Sequence, residues 1–116
     1  GGIEAIVEAM RLYPDSASIQ RLGNGTLRNL TYNDVHKGRV REAGGIEAIV
    51  DGMRRHVGNA GVQEWGSAAL RNLAYSDENK ERVAEVGGIP VVVEGMEAHR
   101  EHDGVQEWGC AVLEEL

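Results

Sequence analysis

The side chains in this sequence that best suit chemistry by type and recurrence are two asparagines and two tryptophans, and the chemistry they suit is recognition. Asn29 and Asn72 stand 43 residues apart, inside identical Leu-Arg-Asn-Leu runs at 27–30 and 70–73. An asparagine amide offers both a donor and an acceptor, so spaced copies can satisfy successive backbone groups of an extended chain without reading its side chains. Trp65 and Trp108, also 43 residues apart, supply apolar walls of the kind enriched in binding hot spots, and can hold a lysine or arginine by cation–π contact. Each has a plainer alternative. Tryptophan is usually largely covered, so the two rings can pack on neighbouring helices, and a buried amide can simply bond a neighbouring carbonyl.

Reaction chemistry is poorly served by comparison. Gly23-Asn24-Gly25 resembles the start of a dinucleotide fingerprint, but Arg28 stands where the third glycine belongs and no strand pattern precedes it. His99 and His102 lie three apart with Glu101 and Asp103 beside them, yet a metal needs three or four convergent ligands and no second cluster is present, so this reads as a solvated polar turn. His56 aligns with His99, which marks a recurring feature. Cys110 aligns with Asn24 and Ser67, so it reads as a small helix-surface residue, and no nucleophile, base and orienting partner occur together. The expectation is a non-enzyme with no catalytic residue, no metal and no cofactor.

Composition narrows the partners. Nineteen Asp and Glu against twelve Lys and Arg give a formal charge of -7, with the basic residues scattered, so the electrostatic footprint of nucleic-acid binding is missing. A basic peptide remains a suitable partner for an acidic chain. A single cysteine among 116 residues builds neither a disulfide framework nor a multi-cysteine zinc site, and fits a reducing compartment. Apolar runs such as 89–93 are too short to span a bilayer, and no signal pattern opens the chain. The expected setting is soluble and intracellular, cytoplasmic or nuclear, with no membrane partner.

The elements that must position these residues follow from one tripeptide. Gly-Gly-Ile occurs at Gly1, Gly44 and Gly87, and about half of the positions in the first 43 residues are identical in the second 43, which is the signature of stacked repeats. Ile46, Ile49, Val50 and Met53 fall at i, i+3, i+4 and i+7, and Ile3, Ile6, Val7 and Met10 repeat them, as do Ile89, Val92, Val93 and Met96. This is a middle helix. A longer helix runs from about Val62 to Tyr75, with Gly66 on its apolar face; recurrence at Gly23 and Gly109 predicts a neighbour too close for a side chain. A short helix spans about Asp77 to Val86, with Ser76 or Asp77 as N-cap. The paired glycines make a sharp corner between short and middle helices, and the loops at Tyr13 to Ser18 and Arg55 to Gly61 carry turn residues.

Gly-Gly-Ile before an apolar helix, then Val-Gln-Glu, then Ala-Leu-Arg-Asn-Leu-Ala at 69–74, in this order and at this period, resembles the armadillo repeat of the importin-alpha and beta-catenin type. The resemblance covers the whole chain. It implies an all-α, right-handed superhelix with three helices per repeat, the third helices lining a concave groove that holds extended peptides. It also implies that the asparagine amide clamps the peptide backbone, at Asn29 and Asn72 here. The third copy has Glu115 at that position, and the tryptophan that importin-type repeats carry four residues earlier is replaced by Gly25, Ala68 and Ala111. Trp65 and Trp108 sit seven residues earlier instead. The implied function is therefore a peptide-binding scaffold, without nuclear-localisation-signal recognition.

On the long helix, Trp65, Ala68 and Asn72 share one stripe, the apolar core residues a second, and Glu64, Ser67 and Arg71 a third, solvent side. Stacking predicts a continuous track of Leu22, Gly25 and Asn29, then Trp65, Ala68 and Asn72, then Trp108, Ala111 and Glu115. Tyr32 and Tyr75, near the helix end, read as packing residues. One domain over 1–116 is expected, with units 1–43, 44–86 and an incomplete 87–116, about two and two-thirds repeats starting at a middle helix. Neither end carries a recognisable polar cap, so the alternative to a peptide groove is a structural or engineered scaffold whose open ends join copies into homo-oligomers.

Overall fold

The computed structural model describes residues 1–116 and is all-α: α1 (Gly2–Leu12), α2 (Ala17–Leu30), α3 (Asp34–Glu42), α4 (Gly45–Arg55), α5 (Ala60–Leu73), α6 (Asp77–Glu85), α7 (Gly88–Ala98) and α8 (Asp103–Glu115). Long, middle and short helices occur where the apolar period places them, with boundaries displaced by one or two residues. No helix is long and apolar enough to cross a membrane.

Local chemistry sets the starts and corners. The side chains of Ser16, Asn33, Asn59, Ser76 and His102 accept backbone N–H bonds at the N-termini of α2, α3, α5, α6 and α8, satisfying donors that a helix start otherwise leaves orphaned. The two glycines of each corner do different work. Gly44 and Gly87 take φ of 85° and 86°, the left-handed region in which glycine alone avoids a Cβ penalty. Gly45 and Gly88 begin the next helix with so little room that a Cβ would lie 2.9 Å from the Val40 and Val83 carbonyl oxygens. The corner therefore needs both.

The helices pack in two rows. α5 lies between α2 and α8, α4 lies between α1 and α7, and α3 and α6 cover the corners that join successive stretches. Between the rows runs one continuous core in which Leu27, Ile46, Ile49, Met53, Val62, Leu70 and Leu73 are almost wholly covered. Burying one such side chain stabilises the fold by about 1.5–3 kcal/mol, so the central pair α4 and α5, which contributes most of these residues, is the most firmly held.

A hydrogen-bonding device recurs in the turn between middle and long helices. Gln63 Nε2 donates to the carbonyls of Met53 at 3.0 Å and His56 at 2.9 Å. Gln20 does the same to Met10 and Tyr13, and Gln106 to Met96 and His99. One amide thus satisfies two carbonyls at the C-terminal end of the middle helix, where the last turn lacks intrahelical donors.

Candidate functional site

The predicted track lies on the side of each long helix turned toward the preceding one, and this changes what its members can do. Asn72 is only 5% exposed, and its Nδ2 donates to the Arg28 carbonyl of α2 at 3.1 Å. The amide therefore ties α5 to α2. Ala68 is wholly covered, because α5 has a long helix on both sides and a methyl group cannot reach past its neighbours. Ala68 therefore lines no open groove. Trp65 is half-buried, with the Arg28 guanidinium 4.1 Å from its ring centroid. That face of the ring already holds a cation from within the chain, a contact worth about 1 kcal/mol.

The outer members of the track are more open. Leu22 is 59% exposed and Asn29 is exposed, its Oδ1 accepting from Arg28 Nη2 at 2.9 Å. Gly25, Trp108, Ala111 and Glu115 are half-buried. The nine residues thus form no uniform groove. They are continuous in register, but Ala68 and Asn72 in the middle are interior.

The expected solvent side is also revised. Glu64 and Arg71 reach solvent, whereas Ser67 is 2% exposed, and its counterpart Asn24 is fully buried, donating from Nδ2 to the Val62 carbonyl of α5 at 3.1 Å. These small polar residues face the following long helix. Cys110, the third counterpart, is exposed. Tyr32 and Tyr75, read from the sequence as packing residues, are exposed, and Lys37 Nζ sits 4.5 Å from the Tyr75 ring centroid. The free side of the long-helix row therefore carries Arg21, Arg28, Tyr32, Glu64, Arg71, Tyr75, Glu107 and Glu114.

The histidine-rich turn has a structural role. His102 Nδ1 accepts from the Val105 N–H as the N-cap of α8. His99 Nε2 lies 2.7 Å from the Val57 carbonyl, as His56 Nε2 does from the Pro14 carbonyl, so each stitches its turn to the one before. No group of three or more His, Cys, Asp and Glu side chains converges. Away from the long-helix row, Arg82 of α6 donates to the Glu47 carboxylate of α4, which pushes the guanidinium pKa above its usual value; the pair links exposed Arg82 to half-buried Glu47.

Replacing Asn72 by Ala is expected to lower unfolding stability by about 1 kcal/mol, the net worth of one such hydrogen bond. Asn29→Ala is expected to leave it unchanged, because that amide holds no neighbouring helix. Urea midpoints compare the two; equal midpoints would return Asn72 to the role of a free groove residue.

Compared with known proteins, the chain matches no family model, no curated protein and no solved structure.

Proposed function

We propose that the chain is a peptide-binding scaffold, a short armadillo-type solenoid whose long helices receive an extended segment of a partner protein along their free side. The observation that carries this reading is the row of aromatic and charged side chains along α2, α5 and α8 and the turns after the first two. Tyr32 and Tyr75, in those turns, are 59% and 50% exposed and stand 43 residues apart, beside exposed Arg71 and Glu107 and half-buried Arg28 and Glu64 on the three neighbouring helices. Helices pack about 10 Å apart, so three of them span roughly 20 Å, the length of about six extended residues. Aromatic faces beside guanidinium groups suit a peptide held by its backbone and by a few side-chain anchors. Basic residues of such a peptide would lie over α8, which carries Glu107, Glu114 and Glu115 and no lysine or arginine.

Screening an extended-peptide library against the chain tests this. Tyr75→Ala is expected to weaken the selected peptide about tenfold, and Arg71→Glu to change its charge preference, with helical circular dichroism retained because both residues are exposed. Binding unchanged in both variants would end the assignment.

A further inference from the structure

Along the free side of the long-helix row, charge changes sign in step with position. Arg21, Glu64 and Glu107 recur at intervals of 43 residues, each the fifth residue of its helix. Arg28, Arg71 and Glu114 form a second such series, seven residues further on. Seven residues are about two helical turns, so the two charges of one helix share a stripe roughly 10 Å apart. Neighbouring helices lie about 10 Å apart as well. The six charges therefore make a grid: both positive on α2, one of each sign on α5, both negative on α8.

Helix stability does not account for this order. Arg28 and Arg71 stand in last turns, where a cation offsets the partial negative charge of a helix end. The fifth position is past the first turn, where that effect has faded, yet it holds arginine on α2 and glutamate on α5 and α8. Nor do the charges of the grid satisfy one another. Arg41, Arg54, Arg55 and Arg82, on the middle and short helices, all sit in ion pairs, whereas none of the six does. Arg21 and Glu64 stand in register on adjacent helices without pairing: the Arg21 stem lies over Gly61 and the Glu64 carboxylate over Gly104, in the space a side chain at either glycine would take. Four of the six, Arg21, Arg71, Glu107 and Glu114, are exposed.

We propose that the segment received on this side is dipolar: an extended peptide with acidic residues at one end and basic residues at the other, laid with its acidic end over α2 and its basic end over α8. The inference rests on the peptide-binding reading and adds the charge order of the ligand. Complementarity selects it. A wholly basic peptide meets two arginines on α2, and a wholly acidic one meets two glutamates on α8, so each is repelled at one flank. A peptide whose sign reverses along its length is attracted at both. The spacing follows from the row, because α2 and α8 stand roughly 20 Å apart across α5, the reach of about six extended residues. Over α5 the charges of Glu64 and Arg71 offset each other, so the middle of the peptide carries no charge requirement.

Selection from a library of randomised peptides of about ten residues tests this. The selected sequences are expected to carry Asp or Glu toward one end and Lys or Arg toward the other. The best of them, synthesised, is expected to lose about tenfold or more in affinity when its acidic and basic residues are exchanged in place, and about threefold or less in roughly 0.5 M salt, which screens exposed charges. A scaffold carrying Arg21→Glu, Arg28→Glu, Glu107→Arg and Glu114→Arg together is expected to prefer the exchanged peptide. That reversal is a gain of binding, which loss of folding cannot imitate. Should this scaffold lose its helical circular dichroism, Glu107→Lys with Glu114→Lys, at two exposed positions, is expected to select peptides acidic at both ends. Selected peptides without charge order, equal binding of the two isomers, or a preference that the altered scaffold leaves unchanged overturns the proposal. Tight peptides without charge order would leave the peptide-binding reading standing, whereas a library that yields no peptide would end both.

Discussion

Gln63→Glu is expected to cost more stability than any other single-atom change in the long-helix row, about 3 kcal/mol or more at neutral pH. The side chain is wholly covered, and its amide nitrogen donates to two carbonyls, those of Met53 and His56. Its Oε1 is buried without a partner. A carboxylate there would present acceptors to acceptors, in a place where water cannot help. Leaving both carbonyls unsatisfied costs about 1–3 kcal/mol each, and burying the charge adds to that. The pH dependence follows. Burial favours the neutral acid, so the folded-state pKa of the new carboxyl is raised above the ordinary value of about 4.3, and only the protonated acid can donate to a carbonyl. The variant is then least damaged below that ordinary value and loses stability as pH rises through the folded-state pKa. Urea unfolding across a pH series, with Gln63→Leu as a charge-free reference, checks the prediction. Gln63→Glu as stable as Gln63→Leu at neutral pH would show that the carboxylate finds a donor or water.

The glutamine device is the part of the structure that pattern reading least reveals. Gln20, Gln63 and Gln106 recur at the 43-residue period, but glutamine is also an ordinary surface residue of helices, and periodicity says nothing of a carbonyl ten residues earlier. The corners were legible for the opposite reason. A paired glycine has few uses, and the left-handed conformation at Gly44 and Gly87 is one of them. Helix types and the core stripe were legible because Ile46, Ile49, Val50 and Met53 can face the same neighbour only in a helix.

The candidate surface was legible in register and misplaced in depth. A helical wheel sorts Trp65, Ala68 and Asn72 onto one side, yet it cannot say whether that side meets solvent or another long helix. For α5 both flanks are covered, so Ala68 and Ser67 vanish into junctions and Asn72 becomes a tie to Arg28. On α2 and α8, which each contact one other long helix, the positions turned away from it, such as Leu22 and Cys110, are exposed. What decides function here is a residue's place along the row as much as its type.

Gly66→Val is the second substitution with a large expected effect, a loss of about 3 kcal/mol measured by thermal or urea unfolding. A Cβ at this position would lie 2.6 Å from Met53 Sδ, 2.7 Å from Met53 Cγ and 3.0 Å from Asn24 Nδ2. Met53 is itself 1% exposed, so its chain has nowhere to swing, and Cγ sits too near the backbone to move cheaply. Asn24 meanwhile holds the Val62 carbonyl, so pushing it aside loosens the α2–α5 junction as well. Valine gains less than about 1 kcal/mol of helix propensity over glycine, and that gain is too small to offset the clash. Gly25 makes the comparison: a Cβ there meets nothing within 4 Å, so Gly25→Ala is expected to be neutral or to stabilise by up to about 1 kcal/mol. A double-mutant cycle between Gly66→Val and Met53→Ala isolates the cause, because the shortened side chain makes room, and a coupling above about 1 kcal/mol is expected. Additive losses would mean that the glycine is there for some reason other than the sulfur lying against it.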